Sequence, residues 1–247
     1  MIIKTHNNKR KYIFLWLLLT TLVICGCTGK TTQSPSQENK ASFNNSGLKV
    51  GDSFTFGSYE QDNDLNNGTE PIEWQVLAIE NNRALLISRY ALDAKQYNKT
   101  YINVTWFRST LRKWLNEEFY HSAFSPEEKT GIMEVKNSNP SNSCSRARGG
   151  FSTKDRIFLL SIDEADKYFT NDTARLCEAT AYAKANGAYV AENGNSWWWL
   201  RSPGRIGQTA AMVLNDGYIT YPGYGVVDTV DVVRPAFWLD LQHSSLS

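Results

Sequence analysis

Histidine is nearly missing from this 247-residue chain: only His121 and His243 follow residue 26. Zinc and non-haem iron centres take several of their ligands from imidazoles or thiolates, so the chain lacks the donors for a multi-histidine site. It contains no Gly-x-Ser-x-Gly elbow and no phosphate-binding glycine loop, which leaves hydrolase and nucleotide chemistry without a starting residue. Long apolar runs are missing too. Ile13 to Ile24 is a run of twelve, interrupted by Thr20 and Thr21, whereas a helix crossing a bilayer needs about 20. Past residue 26 there is no polybasic tract, so nucleic acid and anionic headgroups have no electrostatic counterpart.

What the N-terminus does contain is a secretory pattern. Lys4, Lys9, Arg10 and Lys11 precede the short apolar run, forming a charged n-region and an h-region. Ile24-Cys25-Gly26-Cys27 then resembles the lipobox of bacterial lipoproteins. That resemblance implies cleavage after Gly26, acylation of Cys27 and an extracytoplasmic protein attached to the cell membrane, each buried methylene of the acyl chains contributing about 0.8 kcal/mol. An ordinary secretory signal cleaved elsewhere is the alternative. The expected organisation is a signal peptide at 1–26, the lipidated cysteine and a flexible tether at 27–47, a globular domain at 48–241 and a tail at 242–247. The tether is rich in Ser, Thr, Asn, Gln and Lys, with Phe43 its only large apolar residue, too little to offset the entropy of ordering it. Losing residues 1–26 removes four basic and no acidic residues, turning 26 against 25 into 22 against 25, about −3. Seven of the eight tryptophans remain.

Periodicity gives the elements. Ser53 to Phe56 alternates polar and aromatic, and Ile72–Ile79 with Arg83–Ser88 reads as a hairpin around Glu80-Asn81-Asn82. In Ser109 to Phe119, Leu111, Trp114, Leu115 and Phe119 fall on one helical face, with Trp114 toward the core. Ser125-Pro126-Glu127-Glu128 and Ser161 with Glu164 are capping signals. Residues 137–154 read as a long surface loop, and a helix over Ala179–Asn186 stops at Gly187. Short strands follow at Trp197–Arg201, Ala210–Leu214, Tyr218–Tyr221 and Val232–Leu239, with a hairpin turn at Asn215-Asp216-Gly217. The expected fold is one α+β domain with a few short helices and an irregular, mostly antiparallel C-terminal sheet.

Several of these segments carry a family pattern. Trp197-Trp198-Trp199-Leu200-Arg201-Ser202-Pro203-Gly204, Asn215-Asp216-Gly217 and Val233-Arg234-Pro235-Ala236-Phe237-Trp238-Leu239 resemble an uncharacterised bacterial surface-domain family, domain of unknown function 6273. Phe56 to Glu60, Pro71 to Trp74 and Leu111 to Asn116 fit the same family, so the resemblance runs over residues 48–241. It implies a secreted or lipid-anchored protein and no established activity. A more distant similarity is to the C-type-lectin-like fold of formylglycine-generating enzymes and phage variable receptors. The scarcity of histidine removes the iron-binding branch of that fold, and Cys144 and Cys177 match no catalytic cysteine motif.

The site candidates follow from composition. Tyr218, Tyr221, Tyr224, Asp216 and Trp198 are candidate ligand-binding residues, since rings stack on sugar faces and a carboxylate accepts from hydroxyls. Trp197 and Trp199 share one strand face and Trp198 takes the other; the expectation is that the pair packs inside. Arg201 and Arg234 are expected to be buried and paired with carboxylates. Asp62, Asp64, Asn66 and Glu73 have a spacing similar to a calcium loop, and an Asx-type turn accounts for the same residues. Cys144 and Cys177 are either a disulfide or two unpaired buried thiols. Asp228 and Asp231 alone define no catalytic pair. The expected function is a non-enzymatic, membrane-anchored module binding carbohydrate or glycopeptide. The alternatives are a cell-surface protein–protein interaction component and, last, an envelope enzyme. The partners are then the membrane, a glycan or an envelope protein, and not nucleic acid.

Overall fold

The computed structural model describes residues 47–242. The expected signal peptide, Cys27, the expected tether up to residue 46 and the tail from residue 243 lie outside the described residues. Within them no helix is long and apolar enough to cross a membrane.

The chain begins with β1 (Ser53–Tyr59), β2 (Glu70–Glu80) and β3 (Arg83–Ser88), an antiparallel meander. Asn81 and Asn82, at φ 51° and 60°, make the two-residue turn between β2 and β3. Both centres of a type I′ turn need positive φ, which asparagine tolerates. After the short β4 (Asp93–Ala94) comes helix α1 (Thr110–Trp114), whose N-cap Ser109 accepts from the Arg112 amide. It continues through a π turn, Leu115–Phe119, into α2 (Tyr120–Ala123). Leu111, Leu115 and Phe119 are buried as their spacing requires, while Trp114 is only half-buried.

Helix α3 (Pro126–Gly131) starts with the capping box of Ser125 and Glu128. The region expected to be a bare loop instead begins and ends in a two-stranded ribbon, β5 (Val135–Asn137) with β6 (Thr153–Asp155). Its interior is pinned by the buried Asn142, whose Nδ2 donates to the carbonyls of Pro203, Gly204 and Tyr221. Helices α4 (Ile162–Tyr168), α5 (Asp172–Arg175) and α6 (Ala181–Ala185) follow. Then come β7 (Trp198–Pro203), β8 (Thr209–Val213), β9 (Ile219–Gly225), β10 (Val232–Val233) and β11 (Ala236–Asp240).

Two sheets result, in the order β1-β2-β3-β11 and β4-β10-β7-β8-β9. All pairings are antiparallel except β10 with β7. The α+β class is therefore the fold of this chain. Val232–Leu239 is not one strand: Pro235 carries no N–H for a ladder, and the chain changes sheets there, β10 pairing with β4 and β7, β11 with β3. Every residue of β7 is buried, so both of its faces are core. Trp74, Phe56, Phe124 and Phe237 form the aromatic centre under the first sheet, with Trp74 and Phe237 edge to face at 4.7 Å.

Arg201, at the end of the tryptophan strand, meets the expectation of a buried, carboxylate-paired arginine. Its guanidinium takes both oxygens of Glu164 and also donates to the carbonyls of Leu159 and Ser138 and to Asn139 Oδ1. Glu164 is at once the capping-box residue of α4, so one carboxylate starts a helix and locks it to β7.

Candidate functional site

The Asn215-Asp216-Gly217 turn joins β8 to β9, with Leu214 and Tyr218 closing it by a backbone hydrogen bond. Gly217 has φ +86°, and a Cβ there would overlap the Asp172 carbonyl oxygen, so only glycine fits. Asp216 is exposed and its Oδ1 accepts from the Tyr218 amide. Tyr218 and Tyr224 are exposed at 52% and 40%. Tyr221 is half-buried and its hydroxyl donates to Asp166 Oδ2 at 3.3 Å. Burial, then the neighbouring Asp166, pushes that phenol upward.

Trp198 is not a contact residue. It is fully buried, its indole N–H donates to the Arg175 carbonyl, and its ring packs edge to face on Phe169. Trp199 is equally buried, donating to the Lys95 carbonyl and touching Tyr97. The ring that reaches the surface is Trp197, just before β7. It is half-buried between Tyr189 at 4.4 Å and Tyr224 at 5.2 Å, centroid to centroid, and its Nε1 donates to Asn215 Oδ1 at 2.8 Å. Tyr189 is 38% exposed; Val190 next to it in the chain and Val230, whose carbonyl accepts from the Tyr189 amide, are also exposed. Three rings from three segments thus make an aromatic ladder at the surface, locked by an asparagine from the turn. The tyrosine-rich stretch pointed to Tyr224; Tyr189 and Trp197 could be found only from the fold.

The calcium-like set Asp62, Asp64, Asn66 and Glu73 is not the group of carboxylates that the fold gathers. Pairing of Tyr59 with Glu70 closes the β1–β2 loop and brings together Glu60, Asp62 and Glu70, while Glu73 lies farther along β2 and bridges Arg89 at 3.2 Å. Asp62 Oδ1 accepts from the Asp64 amide, Asp64 Oδ1 from the Asn66 amide and side chain, and Glu70 Oε2 from the amides of Gln61 and Asp62. The Asp62 and Asp64 contacts are Asx-type turns and the Glu70 contact ties the loop's two ends together, so these oxygens face the loop's own N–H groups. Glu60 is held above the usual carboxylate range by burial, with Glu70 and Asp62 adding repulsion.

The two cysteines among the described residues, Cys144 and Cys177, are free, which corrects the disulfide alternative, and the exposure of Cys144 corrects the expectation of two buried thiols. Cys144 is exposed in the β5–β6 loop, while Cys177 is buried with its Sγ 3.7 Å from the Arg89 carbonyl. Burial pushes the Cys177 thiol up, the signature of a structural cysteine and not of a nucleophile.

Two buried acids show opposite treatment. Asp155 receives Arg112 Nε at 2.6 Å, Thr153 Oγ1 at 2.6 Å, Asn137 Nδ2 at 3.0 Å and Trp106 Nε1 at 3.1 Å. Asp231 is fully buried, and neither of its oxygens has a partner. Burial, with Asp228 adding repulsion, has pushed it up to about 8, so it stays protonated at neutral pH.

These features define a class: a small α+β domain with a surface aromatic ladder. A family model, domain of unknown function DUF6273, matches residues 81–241, well over half of the 247 residues, and the chain belongs to that family. The match begins at the turn before β3, so Phe56–Glu60 and Pro71–Trp74 lie outside it although β1 and β2 complete the same sheet. No protein of curated description and no solved structure matches the chain, and the lectin-like resemblance accordingly gains no support.

Proposed function

We propose that this chain is a lipid-anchored, extracytoplasmic module that binds carbohydrate or glycopeptide without turning it over. The observation that carries this reading is the Tyr189–Trp197–Tyr224 ladder. Aromatic faces at tilted, shallow exposure are surfaces on which pyranose C–H groups stack, and polar side chains at the edge supply hydrogen bonds to hydroxyls. The fixed Trp197 indole loses little conformational freedom on binding, which favours affinity from a small contact area. Cys27 supplies the membrane attachment through its acyl chains and the tether supplies reach.

A second reading, a protein partner at the cell surface, is favoured by a different patch. Tyr101, Ile102, Phe107, Phe151 and Ile206 are all exposed, Phe151 most of all, and Phe107 meets Phe151 edge to face at 5.7 Å. Exposed apolar clusters of this kind mark interaction surfaces.

The two readings separate in one experiment. The mature chain with Cys27→Ser is titrated with a panel of neutral and acidic glycans and cell-wall fragments, alongside Tyr189→Ala/Tyr224→Ala and Phe107→Ser/Phe151→Ser. Stacking of this kind is worth about 1 kcal/mol per ring, so the tyrosine pair is expected to weaken glycan binding at least tenfold while the phenylalanine pair leaves it unchanged. Equal glycan binding by the tyrosine variant and the parent overturns the ladder as the contact surface.

A further inference from the structure

Among the described residues, Arg234 is the fully buried arginine whose charge is not answered by a carboxylate. Arg201 has Glu164, Arg175 has Asp172 and Asp166, and Arg112 has Asp155. Arg234, only 2% exposed, donates through Nε to the Ser88 carbonyl at 2.9 Å and through Nη1 to the Arg175 carbonyl at 3.3 Å. Its guanidinium lies over the rings of Trp198 at 5.2 Å and Phe169 at 5.4 Å. Nη2 has no hydrogen-bond partner among the described residues. Two carbonyls and two ring faces orient the fork without neutralising it, and an uncompensated buried charge is costly. Burial accordingly pushes this arginine's pKa below its usual value.

The same residue lines a pocket of about 420 Å³ between β2, the β3–β4 connection and the segment before β7. Gln75, Arg89, Tyr90, Asn193 and Asn195 form its walls. The side-chain amides of Gln75 and Asn195 carry no hydrogen bonds among the described residues, and Ser196, next along the chain, is fully buried with its Oγ unpartnered. A buried guanidinium and two amides without hydrogen bonds among the described residues therefore line one cavity. Arg89 is engaged with Glu73, and Glu178 stands on the wall. One unanswered cation beside one wall carboxylate suits a monoanion; a dianionic phosphate would meet Glu178 with no second free cation to offset it.

We propose that this pocket is a carboxylate-binding site in which Arg234 Nη2 and the amides of Gln75 and Asn195 receive the anionic group of a ligand. The assignment stands apart from the glycan reading, since a carboxylate can come from an acidic sugar or from the free end of a peptide. The pocket nonetheless adjoins the ladder: Asn193 Nδ2 donates to the carbonyl of Asn215, whose Oδ1 holds Trp197.

The test uses the mature chain with Cys27→Ser and four organic probes: glucuronic acid against glucose, and an N-acetyl dipeptide with a free α-carboxylate against its amide. Inorganic phosphate is the fifth probe. Titration calorimetry is read together with the indole N–H resonance of Trp198, whose ring face meets the guanidinium. The expected result is that at least one carboxylate binds about tenfold or more tightly than its neutral counterpart, the energy of one charge-assisted hydrogen bond, and moves the Trp198 resonance. Arg234→Lys is expected to abolish that preference. Because Arg234 is buried and its variant can misfold, Gln75→Ala and Asn195→Ala are measured as well; each is expected to weaken the carboxylate several-fold at unchanged melting temperature. Tyr189→Ala/Tyr224→Ala is expected to keep the carboxylate preference, which separates this site from the ladder. Binding of neutral and charged probes alike, no binding at millimolar concentration, tighter binding of phosphate, or unaltered binding in both amide variants overturns the assignment.

Discussion

Arg201→Ala is expected to lower the unfolding free energy by about 3–5 kcal/mol, the cost of removing one member of a buried pair. The side chain is nearly inaccessible, and its loss strands more than one partner. Glu164 loses both of its guanidinium contacts, the buried Leu159 carbonyl loses a donor in the interior, and the Ser138 carbonyl loses one nearer the surface. Buried acceptors left without donors cost free energy that solvent cannot return. Denaturation in urea should show a lower midpoint at unchanged slope. Lys113→Ala is the control: Lys113 and Glu117 form an exposed pair at 3.7 Å, and such pairs contribute little. Equal midpoints for the two variants would contradict the account of how α4 is held to β7.

The second large effect concerns pH. Asp231 titrates at about 8 in the fold and near the ordinary value of about 3.9 when unfolded. Between those values the folded state holds a proton that the unfolded state has released, so stability falls as pH rises from about 4 to about 8 and levels off above. One proton sets a limiting slope of about 1.4 kcal/mol per pH unit. Asp231→Asn removes the titrating group while keeping its shape. Melting temperatures recorded from pH 5 to 9 should decline for the parent and be much flatter for the variant. Some decline is expected to persist, since Glu60 is displaced in the same direction. Parallel curves for the two proteins would mean that Asp231 ionises normally in the fold.

The parts of the fold that a reader of the sequence could find were those encoded within a few residues. Asn81-Asn82 sits between two β-rich runs, and both residues take the positive φ that the turn demands. Ser125 with Glu128 and Ser161 with Glu164 are reciprocal caps within one turn of helix. Alternation failed at Trp197-Trp198-Trp199, because it assumes one wet face, and β7 is the middle strand of its sheet with both faces covered. Pro235 was visible, yet only tertiary pairing shows that it separates strands of two sheets.

The site was less legible for the same reason. Tyr224 stood out among glycines, but its neighbours Tyr189 and Trp197 come from separate segments. Arg201 and Arg234 stand in similar aromatic stretches of the sequence, and composition treats them alike. The fold gives Glu164 to one and leaves the other facing carbonyls and rings. Asp62 to Glu73 has the spacing of a metal loop, and strand register then sends Glu73 to Arg89.

The most direct measurement of the central claim is a glycan titration of isotopically labelled mature chain with Cys27→Ser, following the seven indole N–H resonances, with calcium and again with chelator. The account predicts that a bound saccharide moves the resonance of Trp197, the ring of the ladder whose N–H is held by Asn215, and that the chelator changes nothing. No saccharide in the panel moving Trp197, or binding that disappears with the chelator, would contradict it.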